Sequence, residues 1–432
     1  MEFPIFAYIA ILLFAALLST RLVRILKLPN VTGYIVTGIL MGPFVFGLLF
    51  NNFSFEGIKQ GVIYSYIDRI SWVSTVALGF IAFSIGTSFK MKVLKAVGKR
   101  VIVITIFEAL FASLLVILAL LVAHFVDPIH VTWEMVLILG AIASATAPAA
   151  TLMVIKQYQA SGELVNTLLP VVALDDAAAL ILFSILFQIA TAIAGGGSFS
   201  IYSMILKPLI EIAISLAFGL LIGLLISFMN KYFKSRNNRL IWCIFSIFCA
   251  LGIYALFKNK ELGGFELSSL LMCMMAGAIY TNLCKDSGRT LDVMDRFTSP
   301  IFMMFFVISG ASLDLTVFAS DQGLILLAVA AIYIVFRVFG KWLGAFTGAS
   351  ITNCEPKIKK YLGFTLVPQA GVAIGLATTT NKLMSASTNE AIQASGALIL
   401  AIILTSTLVY ELVGPIISKT ALKKAGEIPE IV

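Results

Sequence analysis

Val171-Val172-Ala173-Leu174-Asp175-Asp176-Ala177-Ala178-Ala179-Leu180 places two adjacent carboxylates inside an otherwise uncharged apolar run that extends from about residue 166 to 193. A run of that length crosses a bilayer as a helix, for which roughly 20 apolar residues suffice. A charge at the centre of such a helix costs about 2.5 to 3.5 kcal/mol on insertion scales, so each aspartate needs a reason to be there. Neighbouring helical side chains project about 100° apart, so the two carboxylates cannot address the same atom. Two roles are expected, one carboxylate facing an ion cavity and the other a neighbouring helix that carries a basic partner. The alanines around them let another segment approach closely. A buried ion pair with no further role is the alternative.

The rest of the chain has the same solvent. Of its 432 residues, 60% are hydrophobic and only 12% charged, too little polar surface for a water-soluble domain. Apolar stretches bounded by charges, Pro or Gly predict thirteen spans, at about 4–24, 31–50, 70–88, 101–125, 133–155, 166–193, 203–228, 240–257, 265–283, 297–317, 323–347, 360–380 and 391–417. The loops are short, which predicts a single membrane domain over residues 1–432. Glu2 precedes the first span and the positive charges follow it, the reverse of a cleaved signal peptide, so that span is expected to stay.

The net charge of +8 is a topology signal and not a nucleic-acid footprint, because the basic residues fall in alternate loops. With the N-terminus outside, 22 of the 30 Lys and Arg lie on the cytoplasmic side, among them Lys90, Lys92, Lys95, Lys99, Arg100, Lys231, Lys234, Arg236 and Arg239. Six lie outside, and Arg337 and Lys341 fall within the eleventh span. Lys419, Lys423 and Lys424 then put the C-terminus in the cytoplasm. The five cysteines form no CxxC pair and read as packing residues. His124 and His130 have no metal-ligand pattern around them, so no zinc site is expected.

Two spans carry matching defects. The fifth contains Ser144-Ala145-Thr146-Ala147-Pro148-Ala149-Ala150-Thr151, and the twelfth contains Gly363-Phe364-Thr365-Leu366-Val367-Pro368-Gln369-Ala370-Gly371. A proline with hydroxyls beside it interrupts each helix near mid-membrane. Lipid cannot satisfy the freed backbone groups, so such breaks survive only against protein or a watery cavity. They lie seven spans apart, so their helices run in opposite directions. With spans one to six and eight to thirteen as two inverted halves, each break is the fifth helix of its half. Paired breaks in inverted halves point to the substrate site of a secondary transporter. Two ordinary proline kinks are the plainer alternative, and direct similarity between the halves is slight.

The remaining intramembrane ionisable residues are Glu108, Arg337, Lys341 and, nearer an end, Glu411. Lys341 is either a partner for an aspartate or a residue snorkelling to the cytoplasmic face. Arg337, one turn earlier on the same face, needs a carboxylate or carbonyl partner. Glu108 is the expected carboxylate, in a structural ion pair. Gln369 either donates into the cavity or caps freed carbonyls. A hard alkali cation prefers oxygen ligands, which Asp176, Thr146 and the exposed carbonyls can supply. A buried carboxylate beside a positive charge can also trade a proton for a cation, which is the elementary step of an exchanger.

Thr146-Ala147-Pro148 in a broken helix, Leu174-Asp175-Asp176 in the next and Gly340-Lys341 in the eleventh resemble the cation/proton antiporter superfamily, in its two-aspartate sodium/proton exchanging branch. Phe305-Phe306-Val307-Ile308-Ser309-Gly310-Ala311-Ser312-Leu313-Asp314 and Val367-Pro368-Gln369-Ala370-Gly371-Val372 resemble that family's tenth and twelfth spans. The resemblance covers essentially the whole chain. It implies an all-α fold of 13 transmembrane helices in two inverted six-helix repeats with crossed broken helices. It also implies an ion-translocating core at about 101–193 and 323–417, and a dimerisation scaffold at about 1–88 and 203–317. The core rises and falls against the scaffold, carrying the ion.

Carried over, Asp176 binds Na+ or a proton and Asp175 pairs with Lys341. Members with both aspartates are generally electrogenic, moving two protons per sodium ion. The chain lacks an aspartate at the first break, which leaves the other ion ligands open, and regulation through a nucleotide-binding domain like that of the potassium-efflux relatives is not expected.

The expectation is therefore a homodimeric, multi-pass transporter of a prokaryotic cytoplasmic membrane, without a cofactor, that exchanges Na+, or Li+ or K+, for protons. A K+/H+ antiporter and a sodium-coupled organic-anion symporter of related fold are the transport alternatives. An intramembrane aspartyl protease needs its aspartates on different helices, so an enzyme is not expected.

Overall fold

The computed structural model describes residues 3–26, 28–49, 59–87, 89, 91–193, 206–233, 235–258, 267–284, 287–312, 323–385 and 390–429. Glu2, Lys90, Lys234, Leu313 and Asp314 of the sequence reading lie outside these. In chain order the helices begin with α1 (Phe3–Ile25), α2 (Asn30–Met41), α3 (Gln60–Ile70), α4 (Trp72–Thr87), α5 (Met91–Val126), α6 (Trp133–Ile142), α7 (Pro148–Gln157) and α8 (Glu163–Ile193). They continue with α9 (Lys207–Met229), α10 (Arg236–Lys258), α11 (Ser269–Leu283), α12 (Ser287–Ala311), α13 (Gly323–Ile351), α14 (Pro356–Thr365), α15 (Gly371–Ser385) and α16 (Glu390–Lys424). A π turn, Pro43–Gly47, follows α2. All regular structure among the described residues is helical, the form that satisfies its own backbone in lipid. Nine helical stretches among them are long and apolar enough to cross a membrane, and Trp133–Ile142 and Ser269–Leu283 are shorter apolar helices.

The chain divides into two compact units, Met1–Lys95 with Ile210–Asp314, and Ala96–Leu209 with Leu315–Val432. In the first unit, small residues let helices touch backbone to backbone. Gly86 of α4 faces the Met274 carbonyl, and Gly277 of α11 faces the Phe83 carbonyl. Gly38 of α2 and Gly310 of α12 make the same reciprocal contact with Val307 and Ile35. Without a hydrophobic drive between helices in lipid, this close van der Waals packing is what holds such pairs.

The second unit is built around a core that includes Val116, Leu139, Ile142, Tyr333, Ile403 and Tyr410, drawn from α5, α6, α13 and α16. It holds both interrupted helices. α6 ends at Ile142 and α7 begins at Pro148, while α14 ends at Thr365 and α15 begins at Gly371. Pro148 is the first residue of α7, where a missing amide is harmless and the fixed φ suits the helix.

Several boundaries differ from the expected spans. α5 begins at Met91, so the basic stretch up to Arg100, expected as loop, is its first helical turns. Charged residues end a lipid-facing run but not a helix. α12 begins at Ser287, ten residues before the expected span, because Thr290, Met294, Thr298 and Phe302 continue one buried stripe at four-residue steps. The third span is preceded by α3, with Ser71 at the junction.

Candidate functional site

The site grows from a glycine stripe on α13. Gly340, Gly344 and Gly348 recur every four residues and so share one face of the helix. A β-carbon on each would stand 2.7, 2.5 and 2.8 Å from the Cα atoms of Ala112, Glu108 and Ile104 on α5. Only glycine fits there, and the stripe presses α13 onto α5 at the level of Glu108. Lys341, next to the stripe, is thereby held inside the unit. It is fully buried and does not snorkel.

The Lys341 ammonium makes three contacts. Its Nζ lies 2.9 Å from Asp175 Oδ2 and 2.5 Å from Glu108 Oε2, and it donates to the Ser144 carbonyl at the first break. Asp175 and Glu108 are both fully buried. The geometry thus puts Asp175 against Lys341, and it corrects the expected Glu108–Arg337 pair. Glu108 lies opposite Lys341 because Gly344 brings its backbone there.

Arg337 takes another set of partners. Its Nε donates to the Ala143 carbonyl at 3.0 Å, Nη1 to Val367 at 2.7 Å and Nη2 to Ala145 at 2.6 Å. The planar guanidinium therefore spans both breaks at once, a geometry its fixed fork of donors allows. The Tyr410 ring lies 4.6 Å from the guanidinium carbon and completes its cover. Gln369 donates to Ile142 O at 2.9 Å and accepts from Tyr333 Oη at 3.0 Å, so it caps freed carbonyls. Between the breaks, Ala147 N donates to Pro368 O at 2.8 Å and Thr151 Oγ1 to Thr365 O at 3.1 Å. Thr146 makes a long contact to Leu366 O at 3.5 Å.

The consequence is chemical. The carbonyls of Ile142, Ala143, Ser144, Ala145, Thr365, Leu366, Val367 and Pro368 all have donors within the unit. Each of these eight carbonyls already accepts from protein with at least one of its two lone pairs. Buried polar groups are hydrogen-bonded as a rule, and here two resident cations do much of that.

Asp176 stands apart in having no ion pair among the described residues. It is buried at 4% exposure, and its Oδ1, like Asp175 Oδ1 and both Glu108 oxygens, has no hydrogen-bond partner among the described residues. Thr146 is also buried, with its hydroxyl turned to Leu366. The structure brings Asp175, Lys341, Glu108, the two breaks, Arg337 and Gln369 into one connected cluster, and leaves Asp176 as a buried carboxylate outside the Lys341 ion pairs. Sequence reading missed Tyr333 and Tyr410, although both are aromatic residues within spans that hold charges. It missed the glycine stripe too, which is legible as G-x-x-x-G-x-x-x-G.

A profile of the family described as "Sodium/hydrogen exchanger, transmembrane" matches residues 9–424. Two solved structures are similar over nearly the whole chain. One is described as the sodium proton antiporter MjNhaP1 from Methanocaldococcus jannaschii at pH 8, with 18% identity, a TM-score of 0.68, and 98% of this chain and 99% of that chain covered. The other, an electron-microscopy map of the same antiporter, has 18% identity, a TM-score of 0.74, and 99% of each chain covered. At that identity the likeness establishes the fold. No curated protein matches the chain.

Proposed function

The chain belongs to the sodium/hydrogen exchanger family, and from that membership we propose that it is an antiporter in which Asp176 binds in turn a sodium ion and a proton. One observation carries the assignment of Asp176. Asp175 and Glu108 both have the Lys341 ammonium as counter-charge, while Asp176 is buried with no ion pair among the described residues. A buried carboxylate without a counter-charge is costly unless something neutralises it, and a proton and an alkali cation are the two occupants an exchanger alternates. The structures described as a sodium proton antiporter support Na+ as the cation, with Li+ and K+ as further candidates.

In this reading the second compact unit carries the ion. Lys341, Arg337 and Gln369 hold the two breaks together, and the ion is coordinated by Asp176, the Thr146 hydroxyl and water. A proton arriving from one side displaces the cation, and a cation arriving from the other releases the proton. Asp175, with Lys341, is the second charged participant, which makes the exchange electrogenic at two protons per sodium ion.

The unit moves as an elevator within a homodimer of thirteen-helix protomers, each of two inverted six-helix repeats, in a prokaryotic cytoplasmic membrane. The N-terminus is outside and the C-terminus in the cytoplasm, as the basic residues of alternate loops support.

The test is purified protein in liposomes with a trapped pH dye and an imposed gradient of Na+, Li+ or K+. Cation-driven proton movement is expected, largest with Na+ and sensitive to membrane potential. Absence of proton movement with all three would refute the reading.

A further inference from the structure

Glu108 is the one fully buried acid in the cluster that the exchange mechanism does not use. Three observations bear on what it does. Its carboxylate is 2.5 Å from the Lys341 ammonium, as close a partner as Asp175 at 2.9 Å. It comes from α5, a different helix from the aspartates on α8. Its backbone is clamped by Gly344, so its distance from Lys341 is fixed by helix packing and not by a flexible loop.

The Lys341 ammonium donates to Ser144 O and Asp175 Oδ2, and Glu108 Oε2 lies beside it as a second counter-charge at 2.5 Å. If Asp175 were its only counter-ion, any step that separated the two would strand a buried positive charge. Breaking a buried pair by removing one partner is strongly destabilising for that reason. A second carboxylate on an independent helix removes the difficulty.

We propose that Glu108 is a positioning residue for the exchange, the standing counter-ion that keeps Lys341 in place so that Asp175 is free to leave it. The proposal rests on the antiporter reading for its transport consequences, but its electrostatic consequence is independent of that reading. With Glu108 present, loss of the Asp175 charge leaves Lys341 paired. With both charges gone, Lys341 is stranded. The two carboxylates are therefore redundant for holding the lysine.

The experiment compares the wild-type protein with Glu108→Gln, Asp175→Asn, the double variant, and a triple variant that adds Lys341→Gln. Turnover and half-saturating cation concentration are measured in liposomes, and melting temperature in detergent. Each single variant is expected to slow exchange roughly tenfold, and the double variant more than about a thousandfold, beyond the product of the two. Glu108→Gln lowers turnover with the half-saturating concentration unchanged, since Glu108 does not touch the ion. The double variant melts below both single variants, and the triple variant, which has no stranded charge, recovers.

Effects that simply multiply, or a triple variant that melts as low as the double, would overturn the proposal. A wild-type protein that exchanges nothing would tell against the functional reading alone. The melting comparison would then decide the standing of Glu108 by itself.

Discussion

Arg337 shows how a single side chain settles what the breaks are made of. Three carbonyls from two interrupted helices end on its guanidinium, and lysine could not reproduce that fork. Leaving a buried acceptor without its donor costs about 1 to 3 kcal/mol, so Arg337→Leu is expected to lose at least about 3 kcal/mol across the three. Arg337→Lys recovers only part of it. Thermal unfolding of the purified variants in detergent checks both, and wild-type stability in Arg337→Leu would show that the carbonyls find other partners. From the sequence, the need of Arg337 for a partner was legible, because a guanidinium in lipid cannot lose its charge. The choice of carbonyls over Glu108 was not, since it depends on how closely α13 approaches α5. The Asp175–Lys341 contact was reachable only through family resemblance, because helix geometry separates the two aspartates without ranking them.

At the scale of elements, the glycine stripe of α13 governs where that charged cluster sits. Gly344→Ala would bring a methyl group 2.5 Å from the Glu108 Cα, and backbone there cannot step aside. Overpacking of this kind costs about 1 to 3 kcal/mol, and the variant is expected to melt earlier and to exchange more slowly. Gly375→Ala, on α15 with open space around it, is the matched control and is expected to leave melting unchanged or raised. A second element carries its own fastening.

Glu427, beyond the end of α16, accepts from Leu164 N at 2.7 Å and Val165 N at 2.9 Å, and so caps the helix that bears both aspartates. Lys357 at the start of α14 reaches the same carboxylate at 3.4 Å. Glu427→Ala removes this cap and is expected to cost about 1 to 2 kcal/mol, read as a lower melting temperature. An unchanged melt would show that the cap is dispensable. The breaks themselves were legible, since proline beside hydroxyls within an apolar run allows little else. The cap was not, because it joins positions 263 residues apart.

For the whole molecule, lipid made most of the fold readable. Apolar runs long enough to cross, bounded by charge, mark out helices because no other backbone arrangement survives there. What the runs do not show is where helices extend past them, and α5 and α12 both begin before their apolar runs do. The orientation remains a consequence of charge distribution, and it is open to direct labelling. Cys243, Cys273, Cys284 and Cys354 are buried, and with the half-buried Cys249 replaced by Ser, added cysteines report over a low background. His130→Cys is expected to react with a membrane-impermeant maleimide in intact cells, and Lys231→Cys only after permeabilisation. The reverse pattern would invert the topology.

The central claim is that Asp176, and not its neighbour, is where cation and proton alternate. Proton movement driven by a sodium gradient, followed with a trapped dye in liposomes containing Asp176→Asn or Asp175→Asn, tests it most directly. Asp176→Asn should abolish exchange, while Asp175→Asn keeps a slower exchange of altered electrical character. Wild-type exchange by Asp176→Asn would contradict the account.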